Sequence, residues 1–475
     1  MKSDFKYKYI TIVFLFYILP CVSIYSQFDS LTYYLETAAK NNPTVLQRYN
    51  EYQASLQKVP QVASLPDPQL EMGVFLSPME LISGNQVADI KLMQMFPWFG
   101  VIKNAKDEMS LMAKAKFETF RDAKLQVYYD VQRVWFDLYK VRQNIQISEK
   151  NIDLLKIIER LTLVKYKSGS INGSTPSAPG RMSGSSSPVV SSGSSGMNTM
   201  GGKSTGSTVQ PANTSSSTSM NSTSGSTGLS DVYQIQIESG DLENNIASLK
   251  NEEQVLVARL NSMLNRNQKT QVAGIEILPT ELLDITYLSV NDSMFQRNPM
   301  LGMYRYEQQS LEARKKMQNK MGLPMIGFGL NYTVINKSEM STSPMNGQDM
   351  IMPMLVLTLP IYRNKYKAMQ SESVFLRKAS EQNYQAAANA LQTEYYEAMQ
   401  LYNDAQRRMK LYANQSKLAQ KTLDILIKTF SSSTSNLTEL LRVRQQLFDY
   451  EFKQVEAVTD FNKAEAWVKR LTNNL

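Results

Sequence analysis

The side chains that most often do chemistry in proteins are scarce in this sequence. Its 475 residues include no histidine and one cysteine, Cys21. The lack of histidine excludes a Ser–His–Asp triad, a His-ligated zinc site and a Cys–His nucleophile pair. A single cysteine excludes an internal disulfide and a CxxC metal site. We therefore expect neither an enzyme nor a bound cofactor, and the composition favours a structural scaffold or a conduit.

Methionine is the soft donor that remains, with 26 residues in the chain. Met182, Met197, Met200 and Met220 lie in residues 168–228, a segment rich in Ser, Gly and Thr that has no Asp or Glu. Such a composition buries too little apolar surface to offset its ordering entropy, so we predict a disordered loop. Thioethers prefer Cu(I) and Ag(I) among biological metals, which makes these four methionines a candidate metal site. Flexible core filling is the alternative role of methionine, and it suits those on the helices better than these four.

The charge balance gives little sign of a nucleic-acid partner. The chain carries 51 Lys and Arg against 43 Asp and Glu, a formal net charge of +8. The basic residues are interspersed with acidic ones and form no long run, so we expect no nucleic-acid binding.

The N-terminus has the pattern of a secretory signal. Basic residues precede the apolar run Tyr9–Leu19, and Ser26 is a small residue at a suitable cleavage point. We therefore predict a signal peptide at residues 1–26. The apolar run is too short for a membrane-spanning helix, which needs about 20 residues, and no later apolar segment approaches that length. The sequence predicts an exported chain without a transmembrane helix, whose mature form has no cysteine.

Long uninterrupted helices are predicted in both halves of the chain. No Gly or Pro occurs between Gly100 and Gly169 or after Pro360. Apolar and aromatic residues in these stretches repeat at alternating spacings of three and four, which is typical of coiled coils. The repeating positions are Val127, Val131, Val134, Leu138, Val141 and Ile145, then Leu391, Tyr395, Ala398, Tyr402, Ala405, Met409 and Tyr412. An ordinary helical bundle is the alternative.

Four short segments break the helical pattern with the alternation of β-strands. We predict strands at about residues 69–76, 86–96, 325–334 and 350–359, in two pairs joined by polar loops at 77–86 and 335–349. Each strand is about ten residues long, the length of a tilted membrane-spanning strand. Because an open sheet edge cannot lie in lipid, several copies of the chain would have to close one barrel together. A small soluble sheet is the alternative.

The two halves of the sequence repeat one another. The matching pairs are Asn42-Pro43 with Asn298-Pro299, Leu65-Pro66 with Leu323-Pro324, Phe96-Pro97 with Leu359-Pro360, and Leu229-Ser230 with Leu437-Thr438. We divide the chain into a first repeat at 27–265, a connecting segment at 266–288 and a second repeat at 289–475. The insert 168–228 interrupts the first repeat where the second has only the short turn Ser431–Ser435.

These features together resemble the outer-membrane efflux proteins of the TolC type. The resemblance rests on Asn41-Asn42-Pro43, Leu65-Pro66-Asp67-Pro68, Gln94–Gly100 and the paired late-helix starts. The stretch Phe96-Pro97-Trp98-Phe99-Gly100 is most similar to the heavy-metal efflux branch. The resemblance implies a mainly α fold with a small membrane β part. Long antiparallel coiled-coil helices would form a trimeric α-barrel under a twelve-stranded β-barrel, with four strands from each chain.

The resemblance also implies a function and partners. The chain would be the outer-membrane channel of a tripartite efflux system that exports small toxic solutes from the periplasm. Its partners would be two further copies, a periplasmic adaptor protein, an inner-membrane RND-type pump and outer-membrane lipid. Cu(I) or Ag(I), divalent cations, drugs and other small toxic compounds are the alternative cargoes. A conduit for type I protein secretion and an exported coiled-coil structural protein without a pore are the alternative functions.

Three residues at the starts of the late helices correspond to the channel aperture of this family. Asp231 and Glu439 match the aperture acid, and Arg442 lies where the family can carry a second acid. The resemblance implies that all three line the narrow periplasmic end of the pore. Helix capping is the alternative role, because acids favour helix N-termini. Arg442 follows Glu439 by three residues, so the two side chains share a helix face and can pair.

Overall fold

A computed structural model describes residues 31–169, 228–273, 278, 291–432 and 436–473. The predicted signal peptide, the four methionines of the insert and most of the connecting segment lie outside these residues. The helices are α1 (Leu31–Asn41), α2 (Pro43–Ala63), α3 (Val101–Gly169), α4 (Leu229–Met263), α5 (Asn291–Arg297), α6 (Pro299–Met321), α7 (Arg363–Ser431) and α8 (Leu437–Thr472). The strands are β1 (Gln69–Leu81), β2 (Gly84–Phe96), β3 (Met325–Asn336) and β4 (Met350–Thr358).

The chain divides into two compact units. Unit one comprises Met1–Glu149, Asn245–Leu418 and Gln446–Leu475, and its described part contains the four strands. Unit two comprises Lys150–Asn244 and Ala419–Gln445, which hold the last turns of α3 and α7 and the first turns of α4 and α8. The sheet and the predicted aperture residues therefore belong to different units.

The repeated Asn-Pro pair begins a helix in each half. Asn42 caps α2, and its side-chain oxygen accepts hydrogen bonds from the backbone N–H of Thr44 at 2.9 Å and Val45 at 3.4 Å. Asn298 caps α6 and accepts from the N–H of Met300 at 3.0 Å. Proline follows each asparagine at the first helical position, where the helix does not use an N–H. The local chemistry of capping thus explains why this dipeptide recurs.

The side chains of the predicted coiled-coil seams are mostly buried. All six seam positions of α3 are buried, and five of the seven on α7 are buried, with Met409 and Tyr412 half-buried. In unit one, α7 and α8 pack through Tyr402 and Phe461, whose ring centroids are 4.8 Å apart. Within the described ranges, none of the helices combines the length and apolarity needed to cross a bilayer.

The strands form one antiparallel sheet in the order β1-β2-β3-β4. The polar loop expected at 77–86 is wrong, because β1 continues to Leu81, β2 begins at Gly84 and the turn between them is two residues long. Gly84 has a φ of 126°, and a Cβ at this position would collide with the backbone oxygen of Asn336. Only glycine tolerates both the positive φ and the lack of space for a Cβ, so the close contact with β3 helps to fix the hairpin.

Prolines in the sheet occur on its outer strands. Pro78 lies in β1 and Pro353 in β4, the two ends of the strand order. The register of β1 against β2 shifts between Val74 and Met79, and pairing then resumes. Proline donates no ladder hydrogen bond, so edge positions and irregular registers are where a sheet accepts it.

Candidate functional site

One face of the sheet is apolar and exposed. The register places on this face residues that are apolar or aromatic on all four strands. They are Leu70, Met72, Val74, Ala88, Ile90, Leu92, Phe96, Ile326, Phe328, Leu330, Tyr332, Val334, Ile351, Pro353, Leu355 and Leu357, and Gln94 is a polar residue among them. Val74 is 72% exposed and Leu355 is 69% exposed. A continuous apolar surface of this kind requires an apolar neighbour, which is either protein or lipid.

The opposite face carries charged and polar groups. Glu71 on β1, Asp89 and Lys91 on β2, and Asn331 and Thr333 on β3 lie on this side. Lys91 Nζ lies 2.9 Å from Glu71 Oε2, which links β1 to β2 by an ion pair. Such groups favour contact with water, so the two faces of β1, β2 and β3 favour opposite environments, whereas β4 carries Met350, Met352, Met354 and Val356 on this face.

The sheet is open at both ends within the described part of the chain. The outer edges of β1 and β4 have no strand partner there. Hydrocarbon cannot satisfy the N–H and C=O groups along such edges. This sheet can separate an apolar phase from water only when further strands pair with both edges.

The predicted aperture residues lie at helix starts in unit two. Asp231 is in the first turn of α4 and is half-buried, and Glu439 is in the first turn of α8 and is exposed, as is Arg442. The ion pairs of the described residues do not include one between Glu439 and Arg442. At the N-terminus of α8, the N–H of Thr438 donates to Asn436 Oδ1 at 3.4 Å. A pore-lining role for the three residues stays a prediction.

Sequence analysis missed a buried arginine in unit two. Arg444 on α8 is 4% exposed, donates to Asn151 Oδ1 on α3 at 2.7 Å and forms an ion pair with Glu238 on α4. One side chain therefore connects three helices. The signal was its spacing, because Arg444 lies four residues after Leu440 and three before Leu447, where a seam position is normally apolar.

The environment of Glu238 makes this arginine important at neutral pH. Burial raises the pKa of the Glu238 carboxyl above its usual value near 4.5, although the Arg444 guanidinium acts in the opposite direction. A raised pKa means that protonation stabilises the folded state below the usual value, and that this contribution is lost as the pH rises through the raised one. At neutral pH the ionised carboxylate therefore depends on its arginine partner.

The sequence itself matches no protein-family model and no curated protein. Solved structures are similar in fold. The outer-membrane channel OprN is 11% identical, with a TM-score of 0.69 over 94% of this chain and 90% of that chain. The CmeC outer-membrane channel from Campylobacter jejuni is 12% identical, with a TM-score of 0.68 over 94% and 85%. CusC, whose structures concern folding and transmembrane channel formation, is 13% identical, with a TM-score of 0.67 over 93% and 91%.

These matches cover the strands and the long helices together, since each spans more than nine-tenths of this chain. They agree with the mainly helical architecture and the four-stranded antiparallel sheet of the described residues. The chain therefore has the fold of the TolC-type outer-membrane channels, as the sequence predicted.

Proposed function

We propose that this chain is the outer-membrane channel of a tripartite efflux system. The observation that carries the proposal is the two-faced sheet with two open edges. In a homotrimer, β1 of one copy would pair with β4 of the next and close a twelve-stranded barrel. An even number of strands per chain keeps every pair antiparallel around the ring. The apolar face would then contact outer-membrane lipid, and the polar face would contact water in the pore.

The same proposal includes partners and cargo. A periplasmic adaptor and an inner-membrane RND-type pump would deliver small toxic solutes to the channel. Cu(I) and Ag(I) are among the cargoes we propose, and the chain itself would perform no catalysis. The fold that it shares with outer-membrane channels supports this assignment over a structural protein without a pore.

Mass measurement and conductance test the proposal together. We expect the detergent-solubilised protein to be a trimer that conducts ions in planar bilayers. A deletion strain should become more sensitive to metals or drugs. A stable monomer in the periplasmic fraction would contradict the proposal. If the protein is a conducting trimer and its deletion abolishes protein secretion without changing sensitivity to metals or drugs, the secretion conduit is favoured.

The aperture residues give a prediction about gating. In a trimer each position occurs three times near one axis, where acids repel one another and attract cations. We expect Glu439→Ala combined with Arg442→Ala to raise single-channel conductance, and Asp231→Ala to change cation preference. If conductance and selectivity stay unchanged while helix stability falls, these residues stabilise the helix starts and the constriction lies elsewhere.

The insert is predicted to be dispensable for assembly. α3 ends at Gly169 and α4 begins at Leu229, whereas five residues connect α7 to α8 in the second half. Loop-closure entropy changes slowly with loop length, so a short Ser-Gly linker in place of residues 170–227 should preserve the trimer yield. Loss of the trimer would show that the insert contributes packing.

The proposed metal site in the insert is tested with a peptide of residues 180–222 and a second peptide in which its four methionines are replaced by Leu. Equal Ag(I) binding by the two peptides would contradict a metal site there.

A further inference from the structure

The polar face of the sheet carries nearly all of the sheet's paired methionines. Its only apolar side chains among the regularly paired positions are Val356 and six methionines. These are Met93 and Met95 on β2, Met325 on β3, and Met350, Met352 and Met354 on β4. The apolar face uses Leu, Ile, Val and aromatic residues instead, with Met72 on β1. If methionine served here only as an apolar filler, it would occur on the face that is apolar.

Two glycines on the central strand open space for these side chains. Gly329 is paired with Met93 on one side and Met354 on the other, and Gly327 is paired with Met95. A Cβ added to Gly327 would lie 2.5 Å from Met95 Sδ, and one added to Gly329 would lie 3.5 Å from Met354 Cε. Methionines from the strands on both sides therefore lie over the glycine positions of β3.

The chemistry of this surface suits soft monovalent cations. Thioether sulfur is neutral and soft, and it binds Cu(I) and Ag(I) in preference to hard cations. We propose that the methionine face, defined as Met95 and Met354 beside Gly327 and Gly329 together with Met93 and Met352 on the same face, binds Cu(I) or Ag(I) inside the channel. The inference rests on the proposed function, because only a closed barrel turns this face toward the pore. A trimer would present the surface three times, so that ions could pass between weak sites.

Silver binding by the full-length trimer in detergent tests this inference. Ag(I) is titrated into the wild type and a variant with Met93, Met95, Met352 and Met354 all changed to Leu, which keeps the side-chain volume. We expect sulfur coordination in the X-ray absorption spectrum of the wild type. The variant should bind about tenfold more weakly or worse, the loss typical of a disturbed metal site. Gly327→Ala should weaken binding too, since its Cβ would displace the Met95 sulfur.

The matched control changes Met340 and Met345 to Leu. Both are exposed methionines outside the strands, at 84% and 59% exposure, and their loss should leave the affinity of the sheet site unchanged. Equal silver affinity in the wild type and the four-fold sheet variant would overturn the inference. Potassium conductance of the same samples distinguishes a failure of this inference from a failure of the proposed function. Conducting trimers with equal silver affinity contradict this inference alone, whereas failure to conduct contradicts the proposed function.

Discussion

Leu330→Lys is expected to abolish assembly of the protein in the outer membrane. Leu330 lies on the apolar face of β3, paired with Leu92 and Pro353 on the flanking strands. A lysine facing lipid near the middle of a barrel costs about 2–4 kcal/mol, and a trimer would contain three of them. We expect little or no trimer in detergent extracts of the outer membrane, measured by unheated gel electrophoresis.

Asn331→Lys is the matched control for this prediction. Asn331 is the next residue of the same strand and lies on the polar face, in register with Lys91. Glu71, which pairs with Lys91, supplies a nearby counter-charge. We expect trimer yield close to that of the wild type, with a change in ion selectivity. Equal trimer yields from the two lysine variants would contradict our assignment of the faces.

Arg444→Ala is expected to destabilise unit two severely. The substitution removes the side chain that connects Asn151 on α3 to Glu238 on α4. Both residues then lose their Arg444 partner in a largely buried environment. Breaking a buried pair costs about 3–5 kcal/mol, and because Glu238 is 30% exposed we expect the lower end of that range. Hydrogen exchange of the amides in residues 150–169 should speed up while exchange in the sheet stays unchanged.

Arg442→Ala is the control for Arg444→Ala, since Arg442 is an exposed arginine on the same helix. Its removal should change stability by no more than about 0.5 kcal/mol. The cost of Arg444→Ala should also shrink as the pH falls through the raised pKa of Glu238, because a protonated Glu238 does not need the arginine. Adding Glu238→Gln should recover part of the stability at neutral pH. Equal effects of the two arginine substitutions would contradict the role given to Arg444.

The features that the sequence could predict depend on neighbours along the chain. Helix α3 could be predicted because no Gly or Pro occurs between Gly100 and Gly169. Its seam residues, such as Leu138, repeat every three or four positions, so this signal is also contained within two helical turns. Helix starts at Asn42 and Asn298 follow from capping bonds that span two or three residues. Strand alternation is equally local.

The features that sequence analysis missed depend on distant partners. Arg444 is buried because Asn151 and Glu238 meet it from 293 and 206 residues away. The β1–β2 hairpin is tight because Gly84 approaches Asn336 on β3. The methionine face exists only in the register that pairs β2, β3 and β4. Spacing alone could suggest Arg444 as an anomaly, but it could not supply the partners.

Labelling of single cysteines in outer-membrane vesicles tests the central claim most directly. The only cysteine, Cys21, falls within the predicted signal peptide, so each introduced cysteine would be the only one in the mature chain. We predict that a water-soluble maleimide labels Asn331→Cys in intact vesicles but not Leu330→Cys, while both are labelled after denaturation. Equal labelling of Leu330→Cys and Asn331→Cys in intact vesicles would mean that both faces of the sheet contact water, and would contradict the channel.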